Sequence, residues 1–197
     1  MRRTMRLALG AVVLLAASVA MAQNAATTEF YPLKKDTKWT YKVGETTITV
    51  RVASSDANGT TLETLVNDKA VASEVIQVKS DGVYRTKINK ADINPPVKIL
   101  ELKDGKPAAK GTKWKIESKI QEQPVKGEFT IKEDKEKVKV PAGEFETVVV
   151  DGPDFEIAGT KTGVKYWFAQ NKGIVKLTYT IAGNDAVLEL KEYTEGK

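Results

Sequence analysis

The side chains that carry most nucleophilic and metal chemistry are missing. The 197 residues contain no His and no Cys, and the three Met stand at positions 1, 5 and 21. That excludes Ser–His and Cys–His nucleophile systems, thiol redox chemistry, disulfides and soft-ligand zinc, copper or haem sites. Carboxylates remain. Asp151, Asp154 and Glu156 gather around the Gly152-Pro153 bend. Two such groups could work as acid and base on a glycoside, or hold a hard cation. The segment lacks the ligand density of a calcium loop and reads more simply as a solvated turn between strands. The chain is therefore read as a non-enzyme, with no catalytic, metal or cofactor residue assigned. A carboxylate-only hydrolase using Asp151 and Asp154 stands as a second alternative.

Charge points away from nucleic acid. The whole chain has 31 basic and 26 acidic residues. Residues 23–197 contain only two Arg, Arg51 and Arg85, against 26 Lys. Base and phosphate recognition favours the Arg fork, and these Lys alternate with acids, as in Glu133-Asp134-Lys135-Glu136-Lys137. That pattern suits solvated strands with protected edges.

Aromatic residues are the third resource. Phe30, Tyr31, Trp39, Tyr41, Trp114, Phe129, Phe145, Tyr166, Trp167, Phe168 and Tyr179 recur in alternating segments. The simpler reading is a sandwich or barrel core. The functional reading is a candidate hydrophobic ligand cavity lined by Trp39, Trp114, Tyr166 and Trp167.

The elements that must position these groups are strands. Val, Thr and Ile supply 48 of residues 23–197 and Leu only 8. β-Branched residues fit a pleated surface. Period-2 alternation recurs in Trp39/Tyr41/Val43, Ile48/Val50/Val52, Trp114/Ile116, Phe129/Ile131, Val164/Tyr166/Phe168 and Val175/Leu177/Tyr179. Glu74, Ile76 and Val78 alternate likewise, which favours strands over a competing helical face at Leu62, Leu65 and Val66. Turn signals separate the runs: Asn67-Asp68, Ser80-Asp81-Gly82, Asp104-Gly105, Pro141-Ala142-Gly143 and Asn171-Lys172-Gly173. The expectation is an all-β protein of about 11–13 short strands. They form a single antiparallel sheet curved into a half-barrel or clam, with little helix. Asn89–Pro96, with Asn94-Pro95-Pro96, is predicted to be a crossover between two halves. Thr-Lys-Trp occurs twice, at 37–39 and 112–114, each time opening a strand.

The N-terminus has the form of a secretory leader. Arg2, Arg3 and Arg6 precede an apolar run from Leu7 to Ala20, and Ala20-Met21-Ala22 fits small-x-small cleavage before Gln23. The run is short for a membrane span. Removing the three leader Arg leaves 28 basic against 26 acidic residues, a net charge of +2. The domain reading is 1–22 signal peptide, 23–29 flexible tail and 30–197 one β domain, exported to the periplasm or medium.

Three stretches also carry a resemblance. Phe30-Tyr31-Pro32-Leu33 with Trp39-Thr40-Tyr41, Val140-Pro141-Ala142-Gly143-Glu144-Phe145, and Tyr166-Trp167-Phe168-Ala169 with Gly173-Ile174-Val175-Lys176 together resemble a broad class of exported bacterial β-rich proteins. Ser80-Asp81-Gly82-Val83-Tyr84-Arg85 fits the same class. The class is similar in architecture to the β-clams of bacterial lipoprotein carriers. The resemblance implies an exported β protein and assigns no functional residue. Two functions follow as expectations: an interaction or structural module of the envelope or medium, or a carrier of a lipid-like ligand in a curved sheet. The expected partners are an envelope protein or a hydrophobic small molecule, with no nucleic acid and no integral membrane span.

Overall fold

The computed structural model describes residues 27–181 and 183–197. The predicted leader and the first residues of the predicted tail lie outside the described residues. Thirteen strands follow one another: β1 Lys38–Val43, β2 Thr46–Asp56, β3 Gly59–Val66, β4 Lys69–Lys79, β5 Gly82–Ile88, β6 Ala91–Lys103, β7 Lys106–Pro107, β8 Lys113–Ile120, β9 Gln123–Val140, β10 Gly143–Ile157, β11 Thr160–Ala169, β12 Gly173–Ile181 and β13 Asn184–Thr194. Among the described residues there is no helix.

The connectivity is an up-and-down meander. Each strand pairs antiparallel with the next, and the two-residue β7 is an appendage on β6. β6 hands over to β8 at Ile93↔Ile120 and Asn94↔Lys119, and β13 returns to β1 from Lys38↔Thr194 to Lys42↔Glu189. Twelve strands therefore close into a barrel, which corrects the expected half-barrel or clam. The physical reason is the edge. An open sheet leaves rows of unpaired N–H and C=O groups, and closure alone removes them.

The predicted crossover at Asn89–Pro96 is also corrected. Asn89-Lys90 is a two-residue turn, and β6 runs on through Pro95 and Pro96. Prolines lack the ladder donor, and they sit where β6 pairs with neither neighbour. On the β5 side, pairing skips from Asp92 to Val97. On the β8 side it stops at Asn94. Side chains bridge the gap instead: Ser118 Oγ donates to the Pro95 carbonyl at 2.5 Å, and Trp114 Nε1 to the Lys98 carbonyl at 2.9 Å.

Side chains alternate apolar-in and charged-out. On β1, Trp39 and Tyr41 are buried while Lys38 and Lys42 are exposed; on β9, Val125, Phe129 and Ile131 are buried while Lys126 and Lys132 are exposed. A barrel of twelve strands is wider than the eight that side chains just fill, so its interior needs something more.

At one end the chain supplies it. The segment Thr27–Thr37 crosses that end, tied by Asn171 N–H to the Glu29 carbonyl at 2.6 Å and by Gly196 N–H to Thr37 Oγ1 at 3.1 Å. Thr28 is buried, so the described part of the predicted tail belongs to this cap. Tyr31 packs edge-on against Phe168 at 6.3 Å and lies 5.9 Å from Trp39, whose Nε1 donates to the Lys172 carbonyl at 2.6 Å. The β9–β10 hairpin outruns its neighbours. Its tip reaches β13, where Ala142 N–H donates to the Leu190 carbonyl at 2.9 Å, although β11 and β12 intervene in the sheet.

Among the described residues the other end has no such cover. All six hairpins there are two-residue turns: Val43↔Thr46, Val66↔Lys69, Ile88↔Ala91, Ile120↔Gln123, Ile157↔Thr160 and Ile181↔Asn184 close them. Two residues suffice to reverse a strand and cannot reach across a mouth. The residue before every turn is β-branched and apolar. Five of these are half-buried, and Ile181 is 53% exposed.

Candidate ligand cavity

Below the open mouth lies a two-lobed cavity. The larger lobe encloses about 460 Å³ and is walled by Ile93, Val97, Val125, Phe155, Val164 and Ile181 among others. The smaller, about 270 Å³, is walled by residues including Trp39, Tyr41, Ile48, Val50 and Leu188. Arg85, Ile88 and Tyr179 line both lobes, so Arg85 stands where they meet. Ligand pockets typically measure about 300–1,000 Å³ and are mostly apolar with a few placed polar groups.

The floor is an aromatic stack. Tyr166 stacks on Phe168 at 5.6 Å, and Phe129 lies 5.9 Å from Tyr166 and 4.6 Å from Phe155. Phe155 lies flat on the sheet because Gly127 and Gly152 have no side chains. A Cβ at Gly127 would meet the Phe155 ring at 2.7 Å, and one at Gly152 would clash with the same ring. Neither glycine is needed for a turn here. Both make room for a ring.

The polar group is an ion pair. β4 and β5 place Ile76 opposite Arg85 and Glu74 opposite Ile88, all on the inner face. Arg85 Nε donates to Glu74 Oε2 at 2.5 Å, and Nη1 stands 3.5 Å from the Tyr166 hydroxyl. Both side chains are largely buried, at 14% and 24% exposure. Burial works against the Arg85 charge, but the Glu74 carboxylate and the Tyr166 and Tyr179 phenols outweigh it and hold Arg85 well above its ordinary pKa. Burial also raises the Tyr41 phenol, with Glu74 adding to the shift, and raises the Tyr179 phenol, with Tyr166 adding. Tyr41 Oη donates to the Ile174 carbonyl at 2.7 Å.

The four aromatics singled out in the sequence separate. Trp39 and Tyr166 line the cavity. Trp114 faces inward nearer the packed end, 5.6 Å from Phe129, where it closes the β6–β8 gap. Trp167 lies on the outer wall, with Nε1 donating to Glu136 Oε1 at 2.9 Å and the Lys165 and Lys176 ammonium groups 4.9 and 5.5 Å from its ring. Asp151 lies in register with Lys165 and lines an outer depression with Pro153 and Trp167. Asp154 and Glu156 are exposed on the β10 bulge.

Arg85 and Glu74 are the polar cavity residues that the sequence reading passed over. A signal was there. Arg85 is one of two Arg in residues 23–197, and Glu74 sits in an apolar alternation with Ile76 and Val78. A charge on an inward-facing position is the informative exception in a strand.

No known family profile matches the sequence, and no curated protein matches it. Two crystal structures are similar in fold. A candidate lipoprotein of Parabacteroides distasonis superposes with a TM-score of 0.55 at 12% identity, over 87% of this chain and 100% of its own. A candidate exported protein of Bacteroides fragilis with a YmcC-like fold superposes with a TM-score of 0.52 at 15% identity, over 85% of this chain and 100% of its own. At such identities the likeness is one of fold.

Proposed function

We propose that this chain is an exported, non-catalytic protein that binds an elongated apolar molecule in the open half of its barrel. One observation carries the reading: twelve strands enclose more space than their side chains fill, and the described residues fill only one end. The walls of the remaining space are apolar, and the turns around its mouth are too short to cover it. Such a volume, if wetted, leaves Ile, Val and Phe surface against water at about 25 cal/mol per Å². A hydrophobic ligand removes that surface from water.

Export is supported by the leader-like sequence of residues 1–22 and by the two fold neighbours, one a candidate lipoprotein and the other a candidate exported protein. The charged outer wall is the reverse of a membrane barrel, whose lipid-facing side is apolar. The lack of His and Cys supports a binding rather than a catalytic role.

The test is saturable binding of a neutral, environment-sensitive dye such as Nile red, with native mass spectrometry of the protein as purified. One site per chain is expected, displaced by long-chain amphiphiles and lost in Val164→Arg with the far-UV spectrum unchanged. A clean apo mass and no saturable dye binding by a folded barrel would overturn the reading in favour of an interaction module.

A further inference from the structure

The polar centre of the cavity constrains the ligand further, on the premise that the cavity binds an apolar molecule. Arg85 and Glu74 neutralise each other where the two lobes meet. The pair is therefore no net attractor for charge. Its hydrogen-bonding capacity is not used up, however. Arg85 donates Nε to the Glu74 carboxylate and Nη1 to the Tyr166 hydroxyl, and its guanidinium also reaches the Tyr179 hydroxyl. The Tyr166 and Tyr179 hydroxyls stand beside the guanidinium, and neither donates to a described acceptor. Both hydroxyl protons are thus left to donate at one point in an apolar space.

We infer that the ligand is a long-chain amphiphile whose head is an uncharged hydrogen-bond acceptor, an acyl ester or amide carbonyl, held by the hydroxyls of Tyr166 and Tyr179 on the Arg85 guanidinium. The tail lies along Val125, Phe155, Val164 and Ile157 toward the mouth. A carboxylate or phosphate head would bring an unbalanced negative charge beside Glu74 and away from water, which costs more than one Arg already shared can return. An alkylammonium head would meet the guanidinium. A carbonyl takes the spare donors without changing the charge of the site.

The experiment displaces bound Nile red with a long-chain acyl methyl ester, the matching free carboxylate and the matching alkyltrimethylammonium, each below its critical micelle concentration. The ester is expected to compete at concentrations on the order of tenfold lower than either ion. Glu74→Gln removes the compensating charge and is expected to shift preference toward the carboxylate by a similar factor. The double variant Arg85→Gln/Glu74→Gln avoids a lone buried charge. It is expected to keep dye binding and to lose the preference for ester over the matching alkane. A carboxylate that competes as well as the ester in the unsubstituted protein, or a double variant with unchanged preference, overturns the assignment of the head. Failure of the dye to bind at all overturns the cavity reading itself, so the two failures are distinct.

Discussion

At one end of the barrel Tyr31, Leu33, Trp39 and Phe168 are at least 95% buried. A stretch of chain lies across them, and the Trp39 indole is satisfied by the Lys172 carbonyl. At the other end Ile88, Ile120, Ile157 and Ile181 line a space that no segment among the described residues crosses. The same strands run through both regions with the same alternation. What differs is the length of the connections. Turns of two residues reverse the chain and stop, whereas the segment before β1 is long enough to cross the barrel. Where connections are short, a wide barrel stays hollow.

The largest expected effect lies in the packed end. Trp39→Ala removes a buried ring and leaves the Lys172 carbonyl without its donor, and should cost about 4 kcal/mol. Urea unfolding monitored by circular dichroism measures it. A loss below about 1 kcal/mol would mean that this end is as loosely filled as the other.

Next comes the boundary between the two regions. Arg85→Met strands the Glu74 carboxylate in the cavity and should cost about 3 kcal/mol, while Arg85→Met/Glu74→Leu should recover most of that loss, because apolar replacement of a buried pair is often neutral or stabilising. Equal losses in the single and double variants would show that packing by the Arg85 stem, not charge burial, matters at this position.

Alkali sharpens the contrast without substitution. Burial raises the phenols of Tyr31, Tyr41 and Tyr179 above their ordinary value. A group whose folded pKa exceeds its unfolded pKa contributes stability that is intact below the unfolded value, about 10, and is lost as pH rises beyond it. These three should therefore ionise together with loss of the β spectrum, followed by phenolate absorbance. If Tyr179 titrates reversibly in the folded barrel while Tyr31 does not, the cavity is wetter than the packed end. Tyr179→Phe, by the vanished absorbance step, would identify it.

The smallest effect belongs to the rim. Ile181→Ser, at a 53% exposed position, should change stability by less than about 0.5 kcal/mol. Its consequence should appear instead as weaker dye binding. A large stability loss there would break the distinction between a structural end and a hollow one.

Much of this was legible in residue order. Alternation on Trp39/Tyr41 and Tyr166/Phe168, and turn chemistry at Asn67-Asp68 and Asn171-Lys172-Gly173, follow from local rules. Side chains alternate across a strand, and the positive φ of Asn67, Asp68, Asn171 and Gly173 suits those residue types. These rules act over two to four residues, so the sequence states them outright. It also marked Arg85 by rarity and Glu74 by its apolar company.

Long-range pairing decided the rest. Whether the sheet closes depends on β1 meeting β13, about 150 residues away, and no local pattern encodes that contact. Alternation puts Trp167 opposite Tyr166 without saying which face is inside, and closure with the β9–β10 hairpin settled that Trp167 is the outer one. Arg85 and Ile88, three residues apart, share the lumen because the β4–β5 register shifts between Val75 and Ile76, and Glu74 meets Arg85 there as a diagonal neighbour across the two strands. The sequence by itself determined the strands, the turns and the missing chemistries, because those depend on each residue's own conformational preferences and functional groups. Only the tertiary structure decided that the sheet is a barrel, that one end is filled and the other hollow, and that a neutralised charge pair stands at the centre, because each depends on contacts between residues far apart in the chain.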